Sequence, residues 1–560
     1  MIILGINRSN HDASIALLKN NEVVFFIESE RLSNIKHDDN AFQAIAEIKK
    51  YTDHIDYLIL SGFNPPPKYE KWVDRDAYSS SILALGKTFI NHGFETFDVS
   101  YNHHATHAMT AFYNSGFKTA LCIVKDGAGS YYKINDLNYP NVKGRETNSS
   151  FLIEYPAKVN IVEQDIFVPF KIEDKKIKFK DNIFFTNSIS EGTAFEITSE
   201  AMGLDWCDGG KVMGMSPYGK NYTESFEIYK DGLINSELFK NKANDRLDPV
   251  LNIKISEDFQ SKANFAYSLQ NQVQENVANE IIEKINKTGE KNLCLSGGFF
   301  LNCVSNYHLL KKLPKDINIY VEPISTDAGN AIGAAKYLYY TLTQSEEIKS
   351  QKNIYYGLEY NYSQNDLKNE KVINNITPYD VAKIISEKNI VAIYQGRSEA
   401  GPRALGNRSI LYDPRDPNGK DHVNTVKKRE WFRPFAGSVL KEEAKNWFDL
   451  RSLDESKFMM FAVDVLKDKQ SIVPAITHVD GTCRIQTVSK EDNKNFYNLI
   501  KEFYKITNVP ILFNTSFNLA GNAIVETLED ALWTLKNSKI DFLYLPEMSI
   551  LIQNPNAIIE

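Results

Sequence analysis

Thr119-Ala120-Leu121-Cys122-Ile123-Val124-Lys125-Asp126-Gly127-Ala128-Gly129 is the stretch that decides the fold. Residues 119–124 read as a buried strand, and the small residues that follow make a turn where a ligand can approach the backbone. Residues 293–296 repeat the arrangement ahead of Gly297-Gly298. Just upstream, Phe265, Leu269, Val273, Val277 and Ile281 recur every four residues, which lays one apolar stripe along a helix. Helix, strand and glycine turn in that order predict an α/β layer.

Working outward, the apolar runs 2–6, 14–18 and 23–27 are separated by polar turns and read as adjacent strands of one sheet. The first turn holds Asn10-His11-Asp12. Toward the other end, 341–353 is almost wholly polar, and a new strand and helix rhythm begins with Val391-Ala392-Ile393-Tyr394. A chain of 560 residues exceeds the roughly 250 to 300 at which one core stops growing. Two domains are therefore expected, 1–353 and 354–560. No internal repeat stands out, and 135–190 carries no readable motif.

Composition narrows the function. A net charge of -8 provides no general basic field, so nucleic acid and anionic membrane surfaces are not expected partners. No segment approaches the ~20 apolar residues that span a bilayer. Five cysteines without a C-x-x-C pair suit reduced thiols and a cytoplasmic location.

His103 and His107 stand four apart, a spacing that brings two imidazoles to one helix face. Asp126 and Asp327 each follow an apolar strand and are natural further ligands. A His2Asp2 set suits iron, manganese or zinc. Spacing alone leaves open that the histidines simply line a helix and that the aspartates are turn residues.

The segment 395–409 places Arg397, Arg403 and Arg408 among glycines, and Lys427, Arg429 and Arg433 follow beside aromatic residues. Guanidinium forks next to accessible backbone N–H groups match phosphate oxygens. Asn514-Thr515-Ser516-Phe517-Asn518 after an apolar run offers hydroxyls and amides to the same ligand, or is a capping turn. Gly86-Lys87-Thr88 resembles the end of a Walker A loop, but Ser81 stands where its first glycine belongs.

Together these segments resemble the O-carbamoyltransferases that include the nodulation-factor, cephamycin and tobramycin enzymes. The matching stretches span nearly the whole chain: Leu4-Gly5-Ile6 with His11-Asp12, Glu30-Arg31 with Lys36-His37-Asp38, 103–108, 210–219, 295–302, 326–335, 396–410, 424–435, 477–482 and 514–518. Phe299-Phe300 departs from the family's usual Val-Ala and is expected to narrow the pocket.

The resemblance implies a two-lobed actin-like (ASKHA) domain, similar to threonylcarbamoyl transferases, followed by a YrdC-like α/β domain. It implies a metal, Fe2+ or another divalent transition ion, on His103, His107, Asp126 and Asp327. It also implies that carbamoyl phosphate and ATP with Mg2+ meet Arg403, Arg408, Lys427, Arg433, Ser516 and Asn518. Gly127, Gly297, Gly298 and Asn302 are the expected nucleotide contacts in the first domain. His11, with Asp12 beside it, is the candidate base for a hydroxylated small-molecule or sugar acceptor. Transfer of threonylcarbamoyl to tRNA and a non-catalytic nucleotide-binding module are the alternatives. Oligomeric state is left open, a homodimer included.

Overall fold

Strand Ile2–Asn7 (β1) is buried at every position because it lies mid-sheet. Its neighbours are Ser14–Lys19 (β2), antiparallel, and Tyr57–Ser61 (β4), parallel. Glu22–Glu28 (β3) and Glu95–Asp98 (β5) complete the five-stranded order β3-β2-β1-β4-β5. The computed structural model describes residues 1–9, 11–62, 75–134, 142–172, 175–220, 226–241 and 249–556, so Asn10 lies outside the described residues. The chain divides into two units, Met1–Ser29 with His37–Gln351, and Glu30–Lys36 with Lys352–Glu560.

The first unit holds a second sheet. Its strands are Thr119–Lys125 (β6), Tyr131–Ile134 (β7), Val142–Glu154 (β8), Lys158–Phe167 (β9), Ile177–Lys180 (β10) and Ile183–Thr186 (β11). Two small hairpins follow, Tyr229–Lys230 (β12) with Leu233–Ile234 (β13), and Phe239–Asn241 (β14) with Pro249–Leu251 (β15). Asn292–Ser296 (β16) and Asn318–Val321 (β17) then return to the second sheet.

Within it the path β9-β8-β6-β16-β17 has antiparallel pairs on one side of β6 and parallel pairs on the other. Order and polarity repeat those of the first sheet, with β6 in the place of β1. Two such sheets are the two lobes expected of an actin-like α/β fold. The predicted apolar stripe is buried along helix Phe259–Thr288, which Asp258 caps by accepting from the Ser261 N–H. Helices His103–Ser115 and Asn330–Thr343 pack closely, because Gly333 presents no side chain where Thr110 and the Thr106 carbonyl lie.

The second unit is built on a nine-stranded mixed sheet. Its centre runs Val391–Tyr394, Arg408–Tyr412, Ile511–Ser516, Ala436–Leu440, Thr482–Val488 in spatial order. No described helix is long and apolar enough to cross a membrane.

Candidate metal centre and cationic cluster

Four side chains converge in the first unit. His103 and His107 share a face of helix His103–Ser115, Asp126 follows β6, and Asp327 opens the turn before helix Asn330–Thr343. One ligand atom from each lies within 4.8 Å of all the others. The two Nε2 atoms are 3.2 Å apart. His103 Nε2 is 3.2 Å from Asp126 Oδ2 and 3.3 Å from Asp327 Oδ1, which is also 3.3 Å from His107 Nε2.

The remaining polar atoms orient these ligands. His103 Nδ1 faces the Gly62 carbonyl at 3.0 Å, so the proton belongs on Nδ1 and the Nε2 lone pair points inward. Asp126 accepts the Gly298 N–H through Oδ1 (2.8 Å), and Asp327 accepts the Ser9 hydroxyl through Oδ2 (2.5 Å). Each carboxylate thus keeps one oxygen for the centre. Imidazole lone pairs and carboxylates this close repel one another unless a proton or a metal cation sits between them, and the donor set fits a divalent ion.

Burial lowers the pKa of His103, but the Asp327 and Asp126 carboxylates outweigh it and hold the imidazole well above its ordinary value. Burial raises Asp327, and His103 and His11 more than reverse it, leaving the carboxyl well below the usual range. His104 behaves differently: burial drives it down to about 4, so it stays neutral. Its Nδ1 is 2.9 Å from the Ser149 hydroxyl, and its ring backs the turn at Gly129.

His11 reaches Asp327 Oδ2 at 3.8 Å. Asp12, in a left-handed conformation (φ 56°), lies between two imidazoles, with Oδ2 3.1 Å from His11 Nδ1 and Oδ1 2.7 Å from His37 Nδ1. Burial opposes the charge on His11, yet Asp327 and Asp12 raise it to about 9. Against the same burial, Asp12 and Cys207 raise His37 to about 10. The protonated imidazole is favoured while Asp327 keeps its charge uncompensated. Sequence reasoning assigned no role to His37, because its partner lies 25 residues away.

Trp206 and Glu196 were also missed. The Trp206 ring, 40% exposed, sits 5.2 Å from that of His11. Glu196 packs its carboxylate against Gly127, where any Cβ would collide with it. Burial raises it to about 7. Nothing in the sequence marks either residue, since Glu196 lies within helix Glu191–Ala201 and Trp206 in the turn after it, far along the chain from Gly127 and His11.

Several of the expected nucleotide contacts have partners within the fold. Asn302 caps helix Cys303–Lys312 by accepting from the Ser305 N–H (3.0 Å), and its amide exchanges bonds with Gln270. The Gly298 N–H is given to Asp126. Gly297 takes φ 97° so that its Cα can lie against the Lys125 backbone. Phe299 and Phe300 are buried, Phe299 beside Phe195, and belong to the core.

In the second unit, Lys427 Nζ donates to the Ser516 carbonyl, to the Ser516 hydroxyl (3.2 Å) and to Asn518 Oδ1 (2.9 Å). Burial lowers the Lys427 pKa well below its ordinary value, and Arg429 and Arg433 lower it further. Burial also lowers Arg429, with Arg433, Arg484 and Arg403 adding to the effect and Glu430 offsetting part of it. Like charges gathered this way make a receptor for anions. Sequence reasoning found Arg403, Lys427 and Arg433 but not Arg484, which arrives on a separate strand.

Arg408 is the clearest correction. It is fully buried, and its N–H groups donate to the carbonyls of Gln395, Gly396, Asn407 and Glu526. Its guanidinium lies 3.8 Å from the Tyr394 ring. No donor is left for phosphate, so Arg408 is a scaffold for the loop. Glu399 does the complementary work, its Oε1 accepting the N–H groups of Leu405 (2.7 Å), Asn407 (2.7 Å) and Arg408 (3.3 Å).

Comparison with known proteins places the chain in a family. Residues 2–336 match the family model described as Carbamoyltransferase N-terminus, and residues 382–551 match Carbamoyltransferase C-terminus. Nodulation protein NolNO of Sinorhizobium fredii is 32% identical over 96% of this chain and 78% of its own. Nodulation protein U of Azorhizobium caulinodans is 26% identical over 93% and 94%. Among solved structures, T. kodakarensis HypF is 14% identical, with a TM-score of 0.37 over 62% of this chain and 49% of that one. A ROK hexokinase from Thermus thermophilus is 10% identical, with a TM-score of 0.32 over 62% and 100%. With both family models matched in order and most of the chain aligned to NolNO, this protein belongs to the carbamoyltransferase family.

Proposed function

We propose that the chain is an ATP-dependent O-carbamoyltransferase that forms carbamoyl adenylate in its second, YrdC-like unit and delivers the carbamoyl group to a hydroxyl in its actin-like unit. The observation that carries the reading is the meeting of His103, His107, Asp126 and Asp327 around one ion-sized point. A phosphate-bearing intermediate needs such a centre, and a plain core does not.

In the second unit Arg403, Arg433 and Lys427 bind the phosphates of carbamoyl phosphate and ATP with Mg2+. Water attacks the phosphorus of carbamoyl phosphate to give carbamate and inorganic phosphate, and a carbamate oxygen then attacks the α-phosphorus of ATP and releases pyrophosphate. Ser516 and Asn518, already bonded to Lys427, hold the lysine on the ligand side of the strand end. Exclusion of bulk water once the carbamate has formed protects it from decomposition.

In the first unit His103, His107, Asp126 and Asp327 would hold Fe2+ or another divalent ion, which would supply Lewis-acid polarisation of a phosphate. Glu196, beside Gly127, accepts hydrogen bonds from hydroxyls of the bound nucleotide or acceptor. His11 carries a proton stabilised by Asp327, and a ligand that neutralises Asp327 frees the imidazole to take the acceptor's hydroxyl proton. Asp12 fixes the ring's orientation. The acceptor is a hydroxylated small molecule or sugar.

The test is pyrophosphate–ATP exchange in the presence and absence of carbamoyl phosphate. Exchange that requires carbamoyl phosphate is expected, and Arg433→Ala abolishes it. No exchange in the folded wild-type chain excludes adenylate formation.

A further inference from the structure

A second cluster of ligand-type side chains lies at the opposite end of the first sheet. His54 and Asp56 immediately precede β4, and His92 ends helix Lys87–His92 just before β5. One ligand atom from each falls within 4.8 Å of the other two. His92 Nε2 is 3.0 Å from Asp56 Oδ1, and the His54 and His92 ring centroids are 4.3 Å apart.

Each ligand is held from behind. The His54 Nδ1 bond to Asp53 Oδ1 (2.8 Å) leaves its Nε2 lone pair for a ligand. Asp56 accepts the Ile2 N–H through Oδ2 (2.7 Å), which turns Oδ1 toward His92. This is the outer-shell pattern that fixes tautomer and carboxylate direction in metal sites. A simple His92–Asp56 ion pair has no need of a second imidazole alongside, where two protonated rings would repel.

We infer that His54, Asp56 and His92 form a second, surface site for a divalent transition ion, of the Zn2+ class, with water completing its coordination. Two imidazoles and one carboxylate are an established donor set for zinc with an open position. The side chains remain 35%, 30% and 42% exposed, so solvent reaches the ion. The site is separate from the buried quartet. His103 is anchored by the Gly62 carbonyl beyond the far end of β4, so the two lie apart by the length of that strand, roughly 15 Å at ~3.3 Å per residue. An ion here ties the end of helix Lys87–His92 to the starts of β1 and β4, a structural staple.

The experiment uses the full chain, stripped with a chelator and then loaded with Zn2+, with bound metal counted by elemental analysis after gel filtration. His107→Ala is expected to keep an equivalent that His107→Ala/His92→Ala loses, and His92→Ala alone to lose one equivalent relative to wild type. This comparison keeps the outcome distinct from the fate of the quartet. Unchanged metal content in both His92→Ala chains overturns the site. His54→Gln, checked for an intact circular dichroism spectrum, guards against a folding artefact and must show the same loss. Zn2+ should also raise the melting temperature of His107→Ala but not of His107→Ala/His92→Ala.

Discussion

Asp12 accepts from two histidines at once, and the carboxyl is lowered to about 2 because the His11 and His37 bonds overcome the burial that would raise it. For His37 the linkage runs the other way. Its folded pKa of about 10 exceeds the ordinary 6.5, so its contribution to stability is complete below 6.5 and is lost as pH rises through about 10. Asp12→Asn should bring the His37 titration down toward its ordinary value, read from imidazole proton shifts by NMR. An unchanged midpoint would mean that Asp12 is not what holds the proton. Glu399 is a second residue-scale case. Removing its carboxylate orphans three buried N–H groups, so Glu399→Ala should cost about 3 kcal/mol or more in urea unfolding. Its role was invisible in the sequence because a glutamate between glycines reads as a solvated loop charge.

Helix His103–Ser115 carries two of the proposed metal ligands, and helix Asn330–Thr343 begins just after a third, Asp327. Their close approach depends on Gly333. A Cβ there would sit 2.8 Å from the Thr110 amide nitrogen and 2.9 Å from the Thr106 carbonyl, both backbone atoms that cannot swing aside. Gly333→Ala should therefore push the helices apart, lower the melting temperature and weaken metal binding at the quartet by about tenfold, through displaced ligands. Calorimetric titration with a divalent ion checks this, and unaltered affinity would show that the centre tolerates a helix shift. The helix stripe from Phe265 to Ile281 was legible because periodicity is a property of local sequence. The helix contact at Gly333 was not, since it joins segments more than 200 residues apart.

At the scale of the molecule, two charge centres of opposite character sit in different units. The proposed two-step reaction makes them separable: His107→Ala should retain carbamoyl-phosphate-dependent exchange and lose transfer to the acceptor, measured by the acceptor's mass gain. Equal loss of both activities in a folded variant would contradict the division. The sequence by itself determined the α/β class, the central strands with their glycine turns, and which residue types to propose for a metal and for phosphates, because these are local patterns of apolar period and donor chemistry. Only the tertiary structure decided that the two sheets of the first unit share one strand order, a duplication with no trace in the residues. It also gave Arg408 and Asn302 their hydrogen-bond partners within the fold and set His37 on Asp12. The physical reason is common to all three: which hydrogen-bond partner a polar group finds depends on neighbours that chain folding brings from far along the sequence.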